Sequence, residues 1–152
     1  HDSIERFGDD DASLLYQAHR QLLWAGDIDG ASGVLPRIQN SDVPLDNKQL
    51  AELRQLCAEQ RRADAEELFA KMRAQRPDDI GILWLGSKII GADDAAESVF
   101  MEYDIDADAE TLSSYLSYAH FDPKPFPNFM NALAGQGMEQ REVIELPYRC
   151  NR

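Results

Sequence analysis

The chain has no apolar run near the roughly 18 residues that a membrane-spanning helix needs, so no segment reads as a transmembrane helix. No stretch of it reads as a signal peptide. It begins at His1 without a methionine, which predicts a fragment of a longer protein with residues 1–10 as a flexible leader or tag remnant. Cations are few: 15 Lys and Arg against 28 Asp and Glu leave a net charge of −13. That balance repels nucleic acid and anionic membrane surfaces and favours basic partners. Cysteine is scarce. Cys57 and Cys150 fit a disulfide in an oxidising compartment or two thiols in the cytosol, and the count alone does not choose.

The usual signatures of chemistry are also missing. His1, His19 and His120 are scattered, and no His or Cys pair has zinc-ligand spacing. A His19–Cys57 dyad on neighbouring helices lacks an orienting third residue and an oxyanion site. No glycine loop is built to cradle a phosphate. "DIDADAE" sets Asp104, Asp106 and Asp108 at alternate positions, as a calcium loop would. The sixth and twelfth positions are Ala109 and Tyr115, where that loop needs Gly and Glu, so helix capping explains the aspartates better. No cofactor, metal or catalytic residue is expected.

What the chain does have is helical periodicity. At 152 residues and 43% hydrophobic it is long and apolar enough for one folded domain, residues 11–152. "DASLLYQAHRQLLWAG" predicts a first helix, with Asp11 as N-cap and Gly26 as stop. "DGASGVLPRIQ" predicts a helix that Gly33 and Pro36 weaken or kink, with Pro36 interrupting it. "DNKQLAELRQLCAEQ" opens with an Asp46–Gln49 capping box, and "ADAEELFAKMRAQ" stops before Pro77. "DDIGILWLGSKII", "ADDAAESVFMEY", "ADAETLSSYLSYA" and "PNFMNALAGQG" follow, the last with Pro127 in its first turn. The tail "REVIELPYRCNR" reads as extended. Helices joined by such short connections pack as antiparallel neighbours, so the expected class is all-α.

The hairpins repeat. Gly26, Ala31, Leu35 and Ile38 align with Gln60, Ala65, Phe69 and Met72 at an offset of 34, and Leu22 aligns with Leu56. Gly91, Ala96, Phe100 and Tyr103 form a third copy that keeps the internal spacings but arrives three residues early. A small residue lets two helices approach, and apolar residues four and seven positions on share its face. Over residues 12–104 this resembles the tetratricopeptide repeat family, whose period is 34. Ala31, Ala65, Phe69 and Pro77 stand at its small, aromatic and proline positions. His19 and Leu53 depart from it where the family prefers a small residue. The resemblance implies a short solenoid of stacked hairpins (about 12–43, 46–77 and 78–104) with a proline-rich C-terminal cap over 106–152. An irregular helical bundle is the alternative.

The same resemblance implies a concave inner face made by the first helix of each hairpin, with Tyr16, Arg20, Leu50, Arg54 and Lys88 on it, beside Leu23 and Cys57. Arg20, Arg54 and Lys88 recur every 34 residues. Such a strip holds acidic peptide termini in some members, and arginine's fork suits a carboxylate. The plainer reading is three solvated charges, or partners of nearby Asp and Glu. In "FDPKPFPNF", Phe121, Phe126 and Phe129 are too apolar to stay in water, and the prolines lower the entropic cost of ordering the segment. It is expected to pack against the last hairpin, because a repeat array needs its end covered.

"YLSYAHFDPKPFPNFMNAL" followed by "ELPYRC" resembles the end of the periplasmic repeat domain in bacterial membrane-tethered signalling proteins with a winged-helix output module. That resemblance implies a periplasmic sensor or interaction module, tied to the membrane only through a segment upstream of this fragment. A cytoplasmic location is the alternative. It also implies a disulfide between Cys57 and Cys150. The expected function is protein or peptide binding without catalysis. A homodimerisation module is the first alternative, and an enzyme with an unrecognised site the second.

Overall fold

The computed structural model describes residues 8–90, 103, 104, 110, 126–136, 138 and 142. Among them are six α-helices and no strand: α1 (Gly8–Trp24), α2 (Ile28–Gln39), α3 (Leu45–Ala58), α4 (Arg62–Gln75), α5 (Ile80–Ile90) and α6 (Pro127–Gly135). The chain is all-α. It forms two compact units, one containing the residues up to Leu68 and the other beginning at Phe69, so the division falls inside α4. Of the third sequence copy, only Tyr103 is among the described residues.

The first unit contains two turns built alike. Gly26 has φ 84° and Gln60 has φ 61°, both left-handed and 34 residues apart. The Gly26 N–H donates to Leu23 O (3.1 Å) and the Asp27 N–H to Leu22 O (2.9 Å). The Gln60 N–H donates to Cys57 O (3.1 Å) and the Arg61 N–H to Leu56 O (2.9 Å). Each pair is a Schellman closure, which satisfies the last carbonyls of a helix. Ala31 and Ala65, five positions later in each, are both fully buried. The recurrence in the sequence is therefore a recurrence of backbone geometry.

Only one of the two turns has the residue that geometry prefers. A glycine reaches positive φ freely, and a side chain there costs on the order of 1 kcal/mol. Gln60→Gly is expected to stabilise the chain by about 0.5–1 kcal/mol, read from the urea midpoint. Gly26→Gln is expected to destabilise it by a similar amount, because nothing lies within 4 Å of an added Cβ and only the conformational term acts.

Three local expectations need correction. α1 begins at Gly8, so Asp11 lies inside it rather than at its N-cap. Asp46, expected to open α3 as the cap of an Asp46–Gln49 box, is not its N-cap. α3 starts at Leu45 with Pro44 as N-cap and no side-chain cap, and Asp46 sits in the first turn. Pro44 fixes that start, and an acidic group one residue into the helix still meets the positive end of its dipole. Pro36 does not interrupt α2, which runs to Gln39. A proline near a helix end removes one hydrogen bond, and the fully buried Ile38 in the same turn holds the backbone down.

In the first unit α1 packs on α2 and α3, and α2 on α3. Leu15, Tyr16, Ile38, Val43 and Ala51 meet in its core. The whole second half of α3, Leu53 to Ala58, is buried.

In the second unit Asp79 caps α5, its Oδ1 accepting from the Ile82 N–H at 3.1 Å, and α5 packs on α6. Trp84 meets Phe129 edge to face, with ring centroids 5.4 Å apart and an interplanar angle of 78°. Phe126 and Phe129 are fully buried, as expected of aromatics in this segment, and Pro127 opens α6. Phe121 and the rest of the proline-rich stretch lie outside the described residues. Glu142, in the tail expected to be extended, is helical and buried.

Phe126, the N-cap of α6, has no side chain to offer the helix. The Asp104 carboxylate takes that role from a distance, accepting from the Asn128 N–H at 3.2 Å and the Phe129 N–H at 2.7 Å. The capping role expected of this aspartate is real, on a helix 24 residues downstream. A buried carboxylate at a helix N-terminus satisfies orphan donors and meets the favourable end of the dipole. Asp104→Ala is expected to cost about 1–2 kcal/mol, read by guanidinium unfolding. An unchanged midpoint would remove the cap from the forces holding α6.

Candidate binding site

The connection between α2 and α3 is shaped by Ser41. Its hydroxyl donates to Ile38 O at 2.7 Å and accepts from the Val43 N–H at 3.2 Å. This sends Val43 into the core, leaves Asp42 exposed and sets Pro44 at the start of α3. The result is an open cleft of about 360 Å³. Ala12, Ser13 and Tyr16 line it from α1, Asp42, Val43 and Pro44 from the loop, and Asn47 from α3. Its size lies within the range of small-ligand sites, and its make-up is typical of them: apolar walls with a few polar groups.

The polar groups differ in what they already do. The Tyr16 hydroxyl accepts from Arg54 Nη1 at 2.6 Å. The guanidinium carbons of Arg54 and Arg20 lie 5.5 and 5.6 Å from the Tyr16 ring centroid, within cation–π range. Ser13 Oγ accepts from Gln17 Nε2 at 3.2 Å. Each hydroxyl is engaged as an acceptor only, which leaves its own proton uncommitted. Among the described residues, the Asp42 carboxylate and the Asn47 amide make no hydrogen bond or ion pair.

Of the residues expected on an inner face, Tyr16 lines this cleft and is 7% exposed. Arg20, Leu50 and Arg54 lie in the same unit at 9%, 0% and 0% exposure. Lys88 belongs to the second unit, buried, with Nζ 4.7 Å from the Trp84 ring centroid. Leu23 and Cys57 are buried as well. The 34-residue spacing thus brings Arg20 and Arg54 to one aromatic ring, in the interior. The cleft's own polar residues, Ser13, Asp42 and Asn47, carry no recognisable motif. The turn residues before Pro44 are their only sequence signal.

His19 pairs with Gln55 and not with Cys57. The Gln55 amide donates to Glu59 Oε2 (2.8 Å) and to Ile28 O (3.3 Å), which uses both its protons. Its oxygen must therefore accept from His19 Nε2, at 2.9 Å, so the neutral imidazole carries its proton on Nε2. His19 Nδ1 is buried without a hydrogen-bond partner among the described residues. Burial, together with the Arg54 charge, lowers the imidazole from 6.5 to about 4, and the Gln55 bond opposes this only in part.

Cys57 is fully buried on α3, and Cys150 lies outside the described residues. Thiol titration of the unfolded, unreduced chain tests the pairing that the resemblance implies: no free thiol supports it, and two remove it. Among the described residues no three His, Cys, Asp or Glu side chains are placed to hold a metal, and no helix is long and apolar enough to cross a membrane. No protein-family model, curated protein or solved structure matches the chain.

Proposed function

We propose that this chain is a peptide- or protein-binding module of stacked, tetratricopeptide-like hairpins, without catalysis of its own. Its place is the sensory or interaction part of a larger bacterial signalling protein, on the periplasmic side, with its proline-rich segment covering the last hairpin. The carrying observation is the cleft beside Tyr16, lined by Asp42 and Asn47, whose side-chain polar groups make no hydrogen bond or ion pair among the described residues. Polar groups left uncommitted around apolar walls are what a ligand requires. The matched turns at Gly26 and Gln60 support the repeat architecture, and the sequence of the tail supports the periplasmic placement.

Display selection of random heptapeptides against the native chain tests this reading. A consensus should emerge and should be lost when Asn47→Tyr fills the cleft. Selection without a consensus, or one indifferent to Asn47→Tyr, would overturn it. The second reading is a self-assembly module, favoured by the exposed Leu14 (43%) and Leu45 (59%). Light scattering behind size-exclusion separates the two: a dimer that persists on dilution and is lost in Leu45→Glu supports assembly.

A further inference from the structure

We infer that the occupant of the Tyr16 cleft is a peptide segment bearing a basic side chain, its main-chain carbonyls on the Tyr16 hydroxyl and the Asn47 amide and its cationic head on Asp42. This rests on the peptide-binding reading of the same cleft and adds the sign of the partner. The cations that would favour an acidic peptide lie inside the fold: Arg54 is 0% exposed, with Nη1 committed to the Tyr16 oxygen, and Arg20 is 9% exposed over the same ring. Among the described residues lining the cleft, Asp42 is the one that carries a charge, and it is exposed without a hydrogen-bond or ion-pair partner. The arginine bond to Tyr16 fills the acceptor side of the hydroxyl and polarises its O–H, which suits that proton for a peptide carbonyl. The net charge of −13 draws cationic segments from a distance. Ala12, Val43 and Pro44 supply apolar wall for the methylene stem of Lys or Arg.

Three capped tripeptides decide it: acetyl-Ala-Lys-Ala-amide, and the same with Gln or Glu at the centre, titrated into the native chain at low salt and followed by amide NMR. The Lys peptide is expected to shift the amides of Ala12, Tyr16, Val43 and Asn47 and to bind about threefold more tightly than the Gln peptide. That gap should close in 0.5 M salt and in Asp42→Asn, an exposed position where the fold is not at stake. Equal binding of the Lys and Gln peptides at the cleft, or tighter binding of the Glu peptide, overturns the basic occupant and leaves the peptide site standing. Saturation by none of the three, or shifts confined to other residues, overturns both.

Discussion

Gly86→Ala is expected to destabilise the second unit by about 2–3 kcal/mol, against every local preference for alanine in a helix. Gly86 lies within α5, where replacing Gly by Ala ordinarily gains about 1 kcal/mol. Here the added methyl would stand within the van der Waals envelope of the Phe69 ring, against its Cε1, Cζ and Cδ1. Phe69 is 6% exposed, so its ring has little room to turn away. Overpacking of a filled core costs about 1–3 kcal/mol and occasionally more. A Cβ held on the backbone cannot relax, so the cost is about 3–4 kcal/mol, at or just above the top of that range, which leaves about 2–3 kcal/mol net after the helix term. The sharper readout is the double-mutant cycle. Phe69→Ala alone should cost about 3–5 kcal/mol, yet Gly86→Ala on that background should be neutral or stabilising, a coupling of at least 2 kcal/mol. Additive losses would mean that Gly86 is a small residue by accident and that no close approach exists there.

The second large effect is one of pH. The His19 imidazole titrates at about 4 in the folded chain and at its ordinary 6.5 when unfolded. Between those values the unfolded chain binds more protons, so stability rises with pH through this window. The contribution is complete above pH 6.5, falls as the pH drops, and levels off below about 4. At 1.36 kcal/mol per pH unit the whole excursion is about 3 kcal/mol. Carboxylates titrate over part of the same range, so the quantity to measure is the difference between the native chain and His19→Gln. Glutamine keeps a donor for Gln55 and takes up no proton. Native stability minus variant stability should fall by about 3 kcal/mol from pH 7 to pH 4. A difference that stays flat would show that the imidazole titrates normally and is not held neutral by burial.

Much of the helical framework was legible in the residues. Gly26 marked the end of α1, Pro77 stood just beyond α4, and Pro127 opened α6, because each residue acts on its own few backbone bonds. The offset of 34 between Gly26 and Gln60 was legible too, and corresponds to one repeated turn. What escaped depends on distant chain. The recurrence of Arg20 and Arg54 says that they share a face and says nothing of whether water reaches it; the structure seats both against Tyr16. Asp46 looks like a cap in the sequence because local pattern cannot see that Pro44 starts the helix first. The partner of Asp104 lies 24 and 25 residues away, beyond any local rule. The cleft is further still from the sequence signal, since it exists only where α1 passes the turn that Ser41 ties.

The central claim is that residues 34 apart recur because one hairpin closure is built twice. Scalar couplings across hydrogen bonds, measured by NMR between amide nitrogens and carbonyl carbons, address it atom by atom. Expected are cross-peaks from the Asp27 nitrogen to the Leu22 carbonyl carbon and from the Arg61 nitrogen to the Leu56 carbonyl carbon, with positive φ at Gly26 and Gln60. A cross-peak at the glycine turn with none at the glutamine turn, or with Gln60 at negative φ, would leave the periodicity without a structural cause.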